Sequence, residues 1–140
     1  MRVLIVDDHL DTLDMFSTLL ELWGHEVRAI QQPALALATA LELLPDVVFL
    51  DLEMPGIDGC EIARTMRGDQ QLEGTFLVAV TGHGLEEDRA RTHAAGFDGH
   101  LLKPVDTQQL KPFLQKRPAP RSTTGADLRG GSATLPARWE

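Results

Sequence analysis

The chain is 140 residues long with a formal net charge of −8, enough for one ordinary domain with a substantial core and crowded for two. Hydrophobic residues make up 43% and charged residues 24%, a balance that sets aside disordered and membrane-embedded chains and fits a soluble globular protein. Residues 1–115 carry 19 acids against 8 lysines and arginines, net −11, while the last 25 carry 5 bases against 2 acids, net +3; an acidic body argues against direct nucleic-acid binding, which needs a basic face.

Arg2 to Val6 reads as a first strand, with Asp7 and Asp8 directly beyond it. Its apolar run is too short for a signal segment or a membrane span, so no membrane association and a cytoplasmic setting are expected. A single cysteine, Cys60, fits a reducing compartment and reads as a small buried hydrophobe. From Leu10 to Trp23 the apolar positions Leu13, Phe16, Leu20 and Trp23 recur at helical spacing, and Gly24 suits the residue past the helix. Glu26 to Ile30 predicts a second strand, interrupted by charge. Pro33 opens a second helix that reaches about Leu44 and is apolar nearly all round.

Val47 to Leu50 is a short apolar run after Pro45-Asp46, suited to a strand buried on both faces, and it ends in Asp51. Pro55-Gly56 and Asp58-Gly59 then force a loop. Cys60 to Arg67 predicts a helix with Ile62 and Met66 inward. Phe76 to Val80 is another buried strand, ended by Thr81. Leu85 to Ala95 predicts a helix with Glu86, Glu87 and Asp88 in its first turn, a Glu87–Arg91 pair, and a thin apolar stripe of Ala90 and Ala94 that implies shallow docking. Gly99 to Leu102 is a last strand, followed by Lys103-Pro104. A final helix is capped by Asp106 or Thr107 and buries Leu110, Phe113 and Leu114; Pro112 inside it predicts a bent or shortened helix. From about Arg117 the composition turns to Pro, Gly, Ser, Thr and Arg. It predicts a disordered tail over 116–140 that leaves Trp139 unanchored, beside a domain over 1–115.

Strand and helix thus alternate five times, the pattern of a parallel α/β sheet covered on both faces, where ligands bind beyond the carboxyl ends of the strands. Asp7 and Asp8, Asp51, Thr81 and Lys103 all fall at such ends. Three gathered carboxylates repel one another unless a cation joins them. Magnesium, which prefers hard oxygen ligands and keeps several waters, is the natural one, and the absence of a clustered Cys/His set argues against zinc. With it, Asp51 can attack phosphorus and become an acyl phosphate, while the Lys103 ammonium and the Thr81 hydroxyl meet the equatorial oxygens.

Asp7-Asp8, Asp51 with Met54-Pro55-Gly56 and Asp58-Gly59, Thr81-Gly82 and Lys103-Pro104 together resemble the receiver domain of two-component response regulators over residues 1 to about 115. The likeness is to single-domain, chemotaxis-type regulators and also to the terminal receivers of hybrid histidine kinases. The resemblance implies a flavodoxin-like sheet in the order 2-1-3-4-5 and phosphorylation of Asp51 by a histidine kinase or histidine phosphotransfer protein. It implies that Asp8 binds Mg2+ directly, Asp7 mostly through water and Glu53 through its backbone carbonyl, and that Lys103-Pro104 is a cis peptide. Thr81 and the ring position, here His100 where Tyr or Phe is commoner, would form the switch. Glu53 and His83 stand where the family varies residues that set phosphate lifetime, and Gly82 and Pro104 read as structural. A downstream protein target and a phosphorylation-dependent homodimer also follow from it.

Two other readings remain at this point. One is an aspartyl-phosphate phosphohydrolase of the haloacid-dehalogenase type, disfavoured because Glu53 stands where an aspartate is usual. The other is a receiver-like binding module that is never phosphorylated. No output domain is visible, and the strand starting at Met1 leans toward a stand-alone regulator.

Overall fold

In the computed structural model, residues 1–82 and 86–115 are described, with the backbone alone for 86–88 and 115. Strands β1 (Arg2–Val6), β2 (Glu26–Ile30), β3 (Val47–Asp51), β4 (Phe76–Thr81) and β5 (Gly99–Leu102) form one parallel sheet in the order β2-β1-β3-β4-β5. Helices α1 (Leu10–Leu22), α2 (Ala36–Leu43), α3 (Gly59–Arg67), α4 (Glu86–Ala94) and α5 (Thr107–Gln115) make the crossovers. This is the expected flavodoxin-like topology. The chain order reverses between β1 and β3, the place where such sheets open a crevice at their carboxyl edge.

Alternation along each strand divides the core into two layers. Val3, Ile5, Val47, Phe49, Phe76, Val78, Val80 and Leu101 point to one face and pack with Leu13, Phe16 and Leu20 of α1 and Leu110, Phe113 and Leu114 of α5. Leu4, Val6, Val48, Leu50, Leu77 and Ala79 point to the other and pack with α2 and α3, including Cys60, Ala63 and Met66. Every residue of β3 and β4 is buried, so both faces of these strands are apolar and the short runs without alternation are explained. β2 is an edge strand, buried in none of its five residues, which is why charge interrupts it.

Several elements depart from their sequence expectation. The second helix opens as a 3-10 turn over Pro33–Leu35 and becomes α-helical at Ala36; Leu44, at φ 51°, ends it in the left-handed region. The α4 stripe is different from that expected: Ala90 and Ala94 are exposed, and the helix docks through Thr92, fully buried, with Ala95 just beyond it. Small residues gave no preference between faces, and the Thr92 hydroxyl can turn inward because it donates to the Arg89 carbonyl at 3.0 Å. Helix α5 continues three residues past Pro112, so the proline does not shorten it there. The Glu87 side chain, and with it the pair to Arg91, lies outside the described residues, as do His83 and residues 116–140.

A polar anchor ties the end of α3 to the segments that lead into β4 and β5. Arg67 donates to the Gly96 carbonyl at 2.8 Å and to that of Thr75 at 2.8 Å, and it is ion-paired with Asp98. Asp98 is buried and also accepts from the Leu77 N–H at 3.0 Å. Among the described residues no helix is long and apolar enough to cross a membrane.

Candidate functional site

Four strands of one direction deliver their last residues to a single edge. Asp51 ends β3, Thr81 ends β4, Asp7 follows β1 and Lys103 follows β5. The ladder extends just past the strand ends, with Asp7 N–H donating to Ile30, Leu52 to Val80 and Lys103 to Thr81. These bonds fix where each side chain leaves the sheet. Asp7, Asp51 and Thr81 are nearly fully buried, at 4%, 1% and 4% exposure. Gly59 starts α3 tightly against the loop after β3, since a Cβ there would stand 2.5 Å from Leu52 Cδ2. The Asp58 carboxylate caps that helix by accepting from Cys60 N–H at 2.9 Å.

Lys103 Nζ lies 3.0 Å from Asp51 Oδ1 and 3.6 Å from Glu53 Oε1. Asp51 Oδ1 also accepts from the Glu53 N–H at 2.9 Å. Its second oxygen, Oδ2, is buried and accepts no hydrogen bond among the described residues. Glu53 turns across the site mouth, Oε2 accepting from the Gly82 N–H at 2.9 Å. A Cβ on residue 82 would approach that oxygen to 2.8 Å, so glycine gives the carboxylate room to reach the backbone. Lys103 and Pro104 are joined by the expected cis peptide.

His9 is exposed, yet its Nδ1 stands 3.1 Å from Asp7 Oδ1 and 3.1 Å from Asp8 Oδ1. The first contact is a hydrogen bond, whereas Asp8 Oδ1 makes none and is held by proximity alone. The His9 backbone N–H also donates to Asp7 Oδ1 at 2.9 Å. No sequence signal reports this turn, because it depends on how the chain leaves β1. His100 is half-buried within β5, opposite Ala79, rather than at the edge with the other site residues.

The electrostatics follow from crowding. Burial, with the Asp51 charge adding to it, holds the Asp7 pKa above the ordinary carboxylate value, against the lowering effect of the bonds from His9. Burial pushes the Lys103 pKa down, but the hydrogen bond to Asp51 and the charges of Asp51, Asp7 and Glu53 outweigh it and the net shift is upward. Asp7, Asp8, His9 and Asp51 each place one donor atom within 4.8 Å of the others. That spacing, with an orphaned buried carboxylate oxygen on Asp51, fits a divalent cation.

A profile described as the response regulator receiver domain matches residues 3–115. Among curated relatives, the DNA-binding dual master transcriptional regulator RpaA of Synechocystis is 30% identical over 109 residues, covering 78% of this chain and 45% of RpaA. Protein PilH of Pseudomonas aeruginosa is 32% identical over 109 residues, covering 78% of this chain and 90% of PilH. The chain thus spans under half of RpaA, and only 13% of the sensor protein GacS that it also matches. Among solved structures, the chemotaxis protein CheY4 of Vibrio cholerae superposes with a TM-score of 0.77 at 31% identity, covering 83% of this chain and 97% of that one.

Proposed function

On the footing that the chain belongs to the response-regulator receiver family, we propose that Asp51 accepts a phosphoryl group from a histidine kinase or histidine phosphotransfer protein, and that the phosphorylated domain signals by protein contact. The domain is a phosphorylation-controlled signalling switch. The observation that carries the assignment to Asp51 is its asymmetry: Oδ1 is held by Lys103 at 3.0 Å while Oδ2 is buried without a partner. One oxygen is anchored and the other is left to react.

In the transfer, an Asp51 oxygen forms the new bond to phosphorus as the P–N bond of a phosphohistidine donor breaks, its electron pair returning to the imidazole. Catalysis here is alignment and charge neutralisation. The Lys103 ammonium is positioned to meet one equatorial oxygen and the Thr81 hydroxyl another. Asp8, Asp51 and the Glu53 carbonyl would hold Mg2+, with Asp7 acting through water, and the ion would neutralise charge on the transferring group. Slow hydrolysis of the acyl phosphate resets the domain. Thr81 and His100 carry the change of state to the α4, β5 and α5 face, where a downstream protein or a second copy of the domain docks. The signalling unit comprises residues 1–115 and works in the cytoplasm, where its kinase partners present phosphohistidine.

A small acyl phosphate or amidophosphate donor with Mg2+ tests the reading. Stoichiometric labelling that is lost in Asp51→Asn supports it; continuous turnover of the donor would identify a phosphohydrolase, and no label at all a module that does not take phosphate.

A further inference from the structure

We propose that His9 supplies an imidazole nitrogen to the metal site and so raises its affinity for Co2+, Ni2+ or another nitrogen-preferring first-row dication without raising that for Mg2+. The proposal rests on reading Asp7, Asp8 and Asp51 as that site. One donor atom from each of Asp7, Asp8, His9 and Asp51 falls within a 4.8 Å group, and ligands on opposite sides of a first-row ion are about 4 to 4.5 Å apart when each bond is about 2.0 to 2.2 Å. His9 Nδ1 stands 3.1 Å from both Asp7 and Asp8 Oδ1, so it needs little movement to share an ion with them once the proton in its bond to Asp7 has left for solvent or Nε2.

Asp51 brings a deeply buried carboxylate to the same group. Asp51 is 1% exposed and its Oδ2 has no hydrogen-bond partner among the described residues. The His9 backbone N–H bond to Asp7 Oδ1 at 2.9 Å fixes the backbone from which the imidazole projects, while the exposed ring can turn without opening the core once its own bond to Asp7 is released. Magnesium gains little from such a ligand, because it prefers oxygen and gives up water reluctantly. Co2+ and Ni2+ lie higher in the affinity order and accept imidazole readily. Asp8, Asp51 and one imidazole, with Asp7 through water, thus make a donor set suited to a transition ion.

The test titrates the full chain with Co2+ and, separately, with Mg2+, for the wild type, His9→Ala and Asp51→Asn, and records the Co2+-shifted imidazole proton signals. The expected result is a loss of Co2+ affinity on the order of tenfold in His9→Ala, with Mg2+ affinity not reduced and one shifted imidazole set missing. Asp51→Asn should weaken both ions. Equal effects of His9→Ala on the two ions, or no effect on Co2+, would overturn the proposal while leaving the acidic site intact. Indifference of both ions to Asp51→Asn would overturn it by removing the site on which it rests.

Discussion

The Glu53 carboxylate closes on the Gly82 backbone, Oε2 to N at 2.9 Å, while its other oxygen faces Lys103 Nζ at 3.6 Å. On the proposed phosphorylation of Asp51, an incoming phosphoryl oxygen would meet the same lysine, and Glu53 would compete with it. Replacing Glu53 with Ala removes both the competitor and a like charge worth about 1 kcal/mol at a partly exposed position. Initial labelling by a small phosphodonor should rise about fivefold. Rates identical to wild type in a stopped-flow or fluorescence assay would show that the closure has no kinetic role.

Asp7 makes the metal-free site a liability to stability. Its folded pKa is raised above 3.8, so the folded state binds the proton more tightly than the unfolded one, and the ionised carboxylate opposes folding as pH rises through the folded value. Asp7→Asn should therefore raise the melting midpoint of the metal-free protein by a few degrees at neutral pH. The gain should shrink as pH falls through the folded pKa toward 3.8. Added Mg2+ should stabilise the wild type more than the variant. Thermal scans across pH, with and without the ion, read all three.

Lys103 has the opposite role. Its raised pKa keeps it an ammonium throughout the physiological range, and the stability it contributes is present below about 10.5 and lost as pH rises through its higher folded value. Lys103→Ala leaves Asp51 Oδ1 without its cation and removes one donor to the transition state. Phosphorylation from any donor should slow on the order of 10²-fold, measured as initial label incorporation at saturating Mg2+.

The Arg67–Asp98 anchor carries the largest stability prediction. Arg67→Ala takes the guanidinium from the buried Asp98 carboxylate and frees the main-chain carbonyls of Leu72, Thr75 and Gly96, and should cost about 3 kcal/mol in urea unfolding. By contrast, Pro112→Ala restores a helix N–H donor within α5 and should stabilise by about 1 to 3 kcal/mol.

The sheet and the positions of Asp51, Thr81 and Lys103 were legible because parallel strands buried on both faces leave short unbroken apolar runs, and a polar residue ending such a run marks the edge where ligands bind. What was not legible depends on contacts distant in the chain or on the path of a loop. Arg67 and Asp98 are 31 residues apart, and neither stands in a pattern that announces the other. The docking face of α4 turned on Thr92 rather than on Ala90 and Ala94, since a helix this polar has no stripe strong enough to orient it. The contacts of the exposed His9 ring with Asp7 and Asp8 depend on the turn after β1, which no residue pattern announces. Glu53 was recognisable as a site neighbour, but the direction of its side chain depends on the space left by Gly82.

Borohydride reduction identifies the carboxylate that reacts, because an aspartyl phosphate is reduced to homoserine at the residue that carried it. After phosphorylation with a small donor and Mg2+, peptide mass spectrometry should find homoserine at position 51 and nowhere else, with none in a sample lacking the donor. Homoserine at another acidic residue, or an unmodified position 51 in a protein that has taken up label, would show that Asp51 is not the phosphoryl acceptor.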